Sequence, residues 1–65
     1  MEKIKALALI FASTIQEVGE IHSGTLYAMS MGHCTFTEYT AAIETLKEAK
    51  LVTETSYLLK WVSEN

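Results

Sequence analysis

A chain of 65 residues has room for one domain, and at that length folding buries only roughly 60% of the surface the unfolded chain exposes. Apolar residues make up 49% of it, with one cysteine and no proline, which excludes an internal disulfide and argues against a disordered or low-complexity chain. Five lysines stand against eight glutamates, with no arginine and no aspartate, for a formal net charge of −3. A nucleic-acid binder of this composition would have to assemble its phosphate contacts from those few lysines.

Residues 2–18 predict the first helix. Ile4, Leu7, Ala8, Phe11, Ile15 and Val18 recur at helical spacing and share one arc of the wheel. Gly19 follows at the C-terminal cap position, where a left-handed backbone is cheapest for glycine. Leu9 sits on the opposite side among Lys5, Ser13 and Gln16, and Ile10 stands at the margin of the arc, so both are apolar residues that the core does not claim. Lysines at Lys3 and Lys5 ahead of the apolar run ALALIFA have the order of a secretory leader. The helical period nonetheless continues through Ile15 and Val18, no small-x-small site closes the run, and it is well short of the ~20 apolar residues a bilayer span requires. The expectation is a cytoplasmic chain with a free thiol.

Ser23 stands at an N-cap position for a second helix over residues 24–31, with Leu26 and Met29 on one side and Tyr27 and Met31 at four-residue spacing. Gly32 ends it, and His33–Thr35 form a turn. Thr35 and Glu38 make the threonine-x-x-glutamate capping box of a third helix over residues 36–50. Tyr39, Ala42, Ile43, Leu46 and Ala49 mark its buried side, and Phe36 is placed to staple its start. After Ala49 the period changes from helix to strand. Residues 51–53 and 57–62 predict a two-stranded hairpin, turning at Glu54–Ser56 and packed on the helices. Within YLLKWV, Tyr57, Leu59 and Trp61 share the face expected in the core, while Leu58, Lys60 and Val62 share the other. No disorder is expected beyond Ser63–Asn65.

Three helices followed by a hairpin, with Ile43 and Leu46 leading into Lys47-Glu48-Ala49-Lys50-Leu51-Val52, resembles the winged helix-turn-helix superfamily over residues 4–62. The fold class implied is α+β, a winged-helix-like single domain over residues 1–65. Members of that superfamily commonly read leucine-x-x-leucine-glutamate-x-alanine-glycine-leucine-valine at this corner, so Lys50 replaces the usual glycine. The resemblance implies that the third helix enters a DNA groove. The outward positions are then Thr37, Glu38, Thr40, Ala41, Glu44, Thr45 and Glu48, with Lys47, Lys50 and Lys60 as phosphate contacts. Base edges are read mainly by Arg, Lys, Gln, Asn and Ser. A glutamate can accept from cytosine, but Glu44 and Glu48 are one turn apart and would meet phosphate repulsion. Glu54, read in the wing loop, adds a further negative charge.

Catalytic and metal chemistry find little to work with. His22, His33 and Cys34 are the only soft metal ligands, and the adjacent His33 and Cys34 cannot easily share an ion. A cysteine–histidine catalytic pair also needs a cleft and an orienting third group. No metal, cofactor or enzymatic activity is therefore expected. The reading favoured by the residues is a small regulatory module that acts through protein–protein contacts, as a homodimer or with another protein partner. Leu9, Ile10, Leu58 and Val62 would supply the interface, and the edge of the final strand could pair with its copy. The alternative, carried by the resemblance, is a DNA-binding transcriptional regulator.

Overall fold

Ile15, Leu26, Val52 and Leu59 are withdrawn almost completely from water, and each comes from a different element. A computed structural model describes residues 2–62, so the tail expected at Ser63–Asn65 lies outside the described residues. The elements run α1 (Glu2–Val18), β1 (Glu20–His22), α2 (Ser23–Ser30), α3 (Phe36–Glu48), β2 (Val52–Thr55) and β3 (Leu58–Trp61). Three helices and a closing hairpin give the α+β, winged-helix-like layout that the periodicities predict.

The core is built from the stripe Leu7, Ala8, Phe11 and Ile15 of α1, packed against Tyr39, Ala42, Ile43 and Leu46 of α3 and against Leu26, Val52 and Leu59. Val18, expected on the same arc, is 56% exposed because the last turn of α1 runs past the core. The Gly19 N–H then donates to the Ile15 carbonyl at 2.7 Å, and its φ of 88° is one that glycine adopts without a Cβ clash.

That turn delivers the chain straight into β1, a strand not read from the sequence. It pairs antiparallel with β3 through Glu20↔Lys60, Ile21↔Leu59 and His22↔Leu58, and the sheet order is β1-β3-β2. The final strand is therefore the central one. Both of its sides are hydrogen-bonded within the chain, so it has no free edge to offer a second copy. Register places Ile21, Val52, Glu54, Leu59 and Trp61 on the inward face, with Glu20, His22, Thr53, Thr55, Leu58 and Lys60 outward.

Two corners differ from their expected chemistry. Ser23 is not the cap of α2; His22 holds that position and caps nothing with its side chain. The Ser23 N–H instead donates to the Tyr57 carbonyl at 2.7 Å, so the hairpin tip supplies the acceptor for the first turn of α2. The hairpin turns at Ser56–Tyr57, not at Glu54–Ser56. Both residues have positive φ, 52° and 66°, as a two-residue primed turn requires to match strand twist. Tyr57, expected in the core beside Leu59 and Trp61, is thereby carried to the tip and is 76% exposed.

The capping box at Thr35 forms as predicted: Thr35 Oγ1 accepts from the Glu38 N–H at 3.1 Å, and Glu38 Oε1 accepts from the Thr35 N–H at 2.9 Å. The other end of α3 stops at Glu48, so Ala49 is an exposed cap rather than a core residue. Leu51 N–H donates to the Leu46 carbonyl and Lys50 N–H to the Lys47 carbonyl, the paired closure of a Schellman motif. Lys50 takes the left-handed position with φ 63°. The geometry associated with glycine is kept, at a steric cost that a Cβ imposes. Replacing it removes that cost, so Lys50→Gly should raise the unfolding free energy by about 1 kcal/mol. Urea denaturation checks this, and an unchanged or lowered midpoint would refute the strained cap. The double change Ser56→Asn with Tyr57→Gly should stabilise by a similar amount, about 1 kcal/mol.

Candidate functional site

The outward face of α3 is assembled as the helical period dictates. Thr37, Thr40, Glu44, Thr45 and Glu48 are exposed and Ala41 is half-buried. Several of these groups are already engaged within the chain. Glu38 belongs to the capping box and also meets Lys3 of α1 at 3.2 Å. The Thr35 backbone N–H first, and Lys3 second, hold its carboxyl below the ordinary 4.5. The Thr45 hydroxyl donates to the Ala41 carbonyl at 2.9 Å.

Lys47 has the most constrained charge on this side. Its ammonium lies 3.0 Å from Glu54 Oε1 and 3.3 Å from Glu44 Oε2. Hydrogen bonding to Glu54, and then to Glu44, raises its pKa above the ordinary 10.5. Glu54 is accordingly not a wing-loop charge: it is half-buried on the inward face of β2 and balanced by Lys47. The candidate phosphate contacts fall on different elements. Lys47 sits between α3 and β2, Lys50 at the C-terminus of α3, and Lys60 on the outward face of the sheet opposite Glu20 and Thr53.

The candidate interface residues separate as well. Leu9 is 68% exposed and faces away from the core across α1, while Leu58 is half-buried on the opposite, outward side of the sheet. Val62 lies just beyond β3, where its N–H donates to the Leu51 carbonyl at 2.9 Å. Ile10 joins a concave surface. It lines a groove of about 150 Å³ between α1 and α2, together with Leu7, Phe11, Leu26, Met29 and His33. Met29 continues from there into a shallow apolar surface with His22, Thr25, Ala28 and Tyr57.

Met29 is a residue that the sequence reading missed, because it was paired with Leu26 on one side of α2. The structure buries Leu26 with Ser30, four residues on, and leaves Met29 61% exposed. The four-residue spacing carried the signal, masked by serine being polar. A second groove of about 350 Å³ lies between α2, α3 and the hairpin tip, and it was also not anticipated. Tyr27 stands over it, 5.4 Å from Phe36 and 5.1 Å from Tyr39 between ring centroids. The Tyr39 hydroxyl donates to the Ser23 carbonyl at 3.0 Å, and burial pushes its phenol pKa up, so it remains a donor tying α3 to α2.

Cys34 is buried, its thiol directed at the Ser30 carbonyl at 3.6 Å, whereas His33 lines the α1–α2 groove and His22 lies on β1. Among the described residues, no three of His, Cys, Asp and Glu are placed to hold a metal ion. No described helix is long and apolar enough to cross a membrane. No protein-family model, curated protein or solved structure matches the chain.

Both perturbed charges give measurable consequences. The Glu38 carboxyl is lowered from 4.5, so its contribution is present above that pH and is lost as pH falls through the folded value. Amide protection at the start of α3, taken relative to intrinsic exchange at each pH, should therefore fall in acid, and Glu38→Gln should flatten that dependence. Lys47 is raised, so its contribution is complete below the ordinary lysine value and disappears as pH rises through the folded one. An NMR titration of the Lys47 side chain should move back towards 10.5 in Glu54→Gln. An unmoved titration would show that the contact does not persist in solution.

Proposed function

We propose that this chain is a non-enzymatic module of the winged-helix superfamily that acts in regulation through protein–protein contacts and associates with itself. The observation that carries this reading is the exposed apolar strip from Ile10 across Met29 to Tyr57, whose three side chains are 59%, 61% and 76% exposed. Contiguous exposed apolar surface on a small chain marks a contact site more often than an accident of folding. A domain of this size gains stability from covering it. Ile10 is common to the strip and to the expected interface, with Met29 as its partner across the α1–α2 groove.

The DNA-binding alternative draws on the winged-helix-like layout. Its charge requirement is poorly supplied. Lys3 and Lys47 are paired to glutamates, Glu44 and Glu48 occupy the outward face of α3, and Lys60 stands opposite Glu20. Anisotropy titration with duplex DNA at low salt should give no binding tighter than about 100 μM, the weak end of non-specific affinity. Micromolar binding with a steep salt slope would overturn the protein-contact reading. Light scattering across a concentration series should show a mass rising towards the dimer. Met29→Glu, at an exposed position that folding does not need, should weaken that association by about tenfold or more. A wild-type chain that stays monomeric at high concentration would remove self-association.

A further inference from the structure

Tyr57 is the residue whose place in the fold demands most explanation. Its φ of 66° is a conformation that glycine or asparagine takes far more cheaply than an aromatic residue. Burial does not account for it, since the side chain is 76% exposed. The carbonyl that accepts from Ser23 would serve equally well on any residue. What its ring does is wall the groove between α2, α3 and the hairpin. The same groove is lined by Tyr27, Phe36 and Tyr39, whose ring centroids lie between 5.1 and 6.4 Å apart.

Charge along this aromatic groove is acidic. Glu44, Glu54 and Lys47 also line it, and two carboxylates against one ammonium leave a net charge of −1. Lys47 occupies Oε2 of Glu44 and Oε1 of Glu54, so the second oxygen of each carboxylate remains available to another donor. Aromatic faces attract cations, and the attraction strengthens where water is partly excluded. A guanidinium suits this combination better than an ammonium, because it stacks flat on a ring while its fork reaches a carboxylate.

We infer that the groove binds an arginine side chain presented by a basic segment of a protein partner, with Tyr57 as the stacking wall and Glu44 as the ion-pairing rim. This rests on the protein-contact reading above and adds that the occupant is a different chain. A second copy has no arginine to offer; its Lys3 and Lys47 are paired, and the ammonium of Lys5, Lys50 or Lys60 cannot both stack flat on a ring and fork onto a carboxylate. A nucleobase could stack on the same rings, but its phosphates would be brought against Glu44 and Glu54.

The test is NMR titration of the full chain, ring-labelled on its aromatics, with hexaarginine, hexalysine and a short single-stranded oligothymidylate. Hexaarginine should shift the Tyr27, Phe36 and Tyr57 rings saturably and bind more tightly than hexalysine. Tyr57→Gly should weaken it about fivefold, and Glu44→Gln about threefold. Tyr57→Gly leaves the net charge untouched and relieves the turn, so its effect cannot come from lost general attraction or from unfolding. Equal affinity in Tyr57→Gly, equal binding of the two peptides, or the same rings moved by the oligothymidylate would each overturn the assignment. A chain that self-associates by light scattering yet fails these criteria loses this site alone. Tight salt-sensitive duplex binding sinks the protein-contact reading independently of the peptide result.

Discussion

The fold depends on inserting the last strand between two earlier ones. Leu59, fully buried in β3, faces Ile21 on one side and Glu54 on the other, so the central strand must wait for nearly the whole chain. Its ends are fastened to the elements flanking β1: the Trp61 N–H donates to the Gly19 carbonyl at 2.9 Å, and the Tyr57 carbonyl accepts from Ser23. Pairings so distant in sequence carry a loop-closure cost before any contact offsets it. The helices do not solve that problem alone, because the inner face of the sheet supplies Val52 and Leu59 to their core. Insertion also leaves as edges only the short strands β1 and β2, whose outward positions are Glu20, His22, Thr53 and Thr55. Short polar edges pair poorly with other chains.

Charge placement follows from the same geometry. Once β2 lies beside α3, Glu54 comes within reach of Lys47, and a residue that reads as a wing charge becomes half of an internal ion pair. Lys3 is drawn to Glu38 where α1 crosses the start of α3. Such pairs contribute little to stability when solvent reaches them, and their larger effect here is on recognition. Each removes a cation from the set that could meet a phosphate, while Glu44 and Glu48 remain outward. The framework of α3 and the chemistry of its surface are set by different residues, the buried Tyr39, Ala42, Ile43 and Leu46 for the first and the exposed Thr37, Glu44 and Glu48 for the second.

Much of this was legible because helices announce themselves. The α1 stripe from Leu7 to Ile15, the glycine that ends the helix and the capping box at Thr35 all rest on local spacing, and each forms where the spacing puts it, Val18 excepted. What stayed hidden was non-local. Glu20–His22 is too short to show an alternation, and it is a strand only because β3 lies beside it. Ser56–Tyr57 carries none of the usual primed-turn residues, so the tip was placed early and Tyr57 was assigned to the core. Once Val52 pairs with Trp61, the two-residue loop is forced and every side chain between them is fixed in direction. Leu9 and Ile10 lie outside the core as their wheel positions imply, yet adjacency on a helix turns them in different directions, and Ile10 lines the α1–α2 groove.

Among the described residues, the three non-glycine residues with positive φ, Lys50, Ser56 and Tyr57, all lie at the two ends of β2. Each costs of the order of 1 kcal/mol relative to a residue suited to the conformation, a substantial sum for a domain that buries so little. The α1–α3 packing carries no such strain, so the backbone strain is concentrated around the hairpin. Tyr57, one of the strained residues, lines both the shallow apolar surface and the aromatic groove, and its carbonyl holds the first turn of α2. A ligand that engages the ring therefore acts on a strained tip tied to a helix start rather than on a rigid wall.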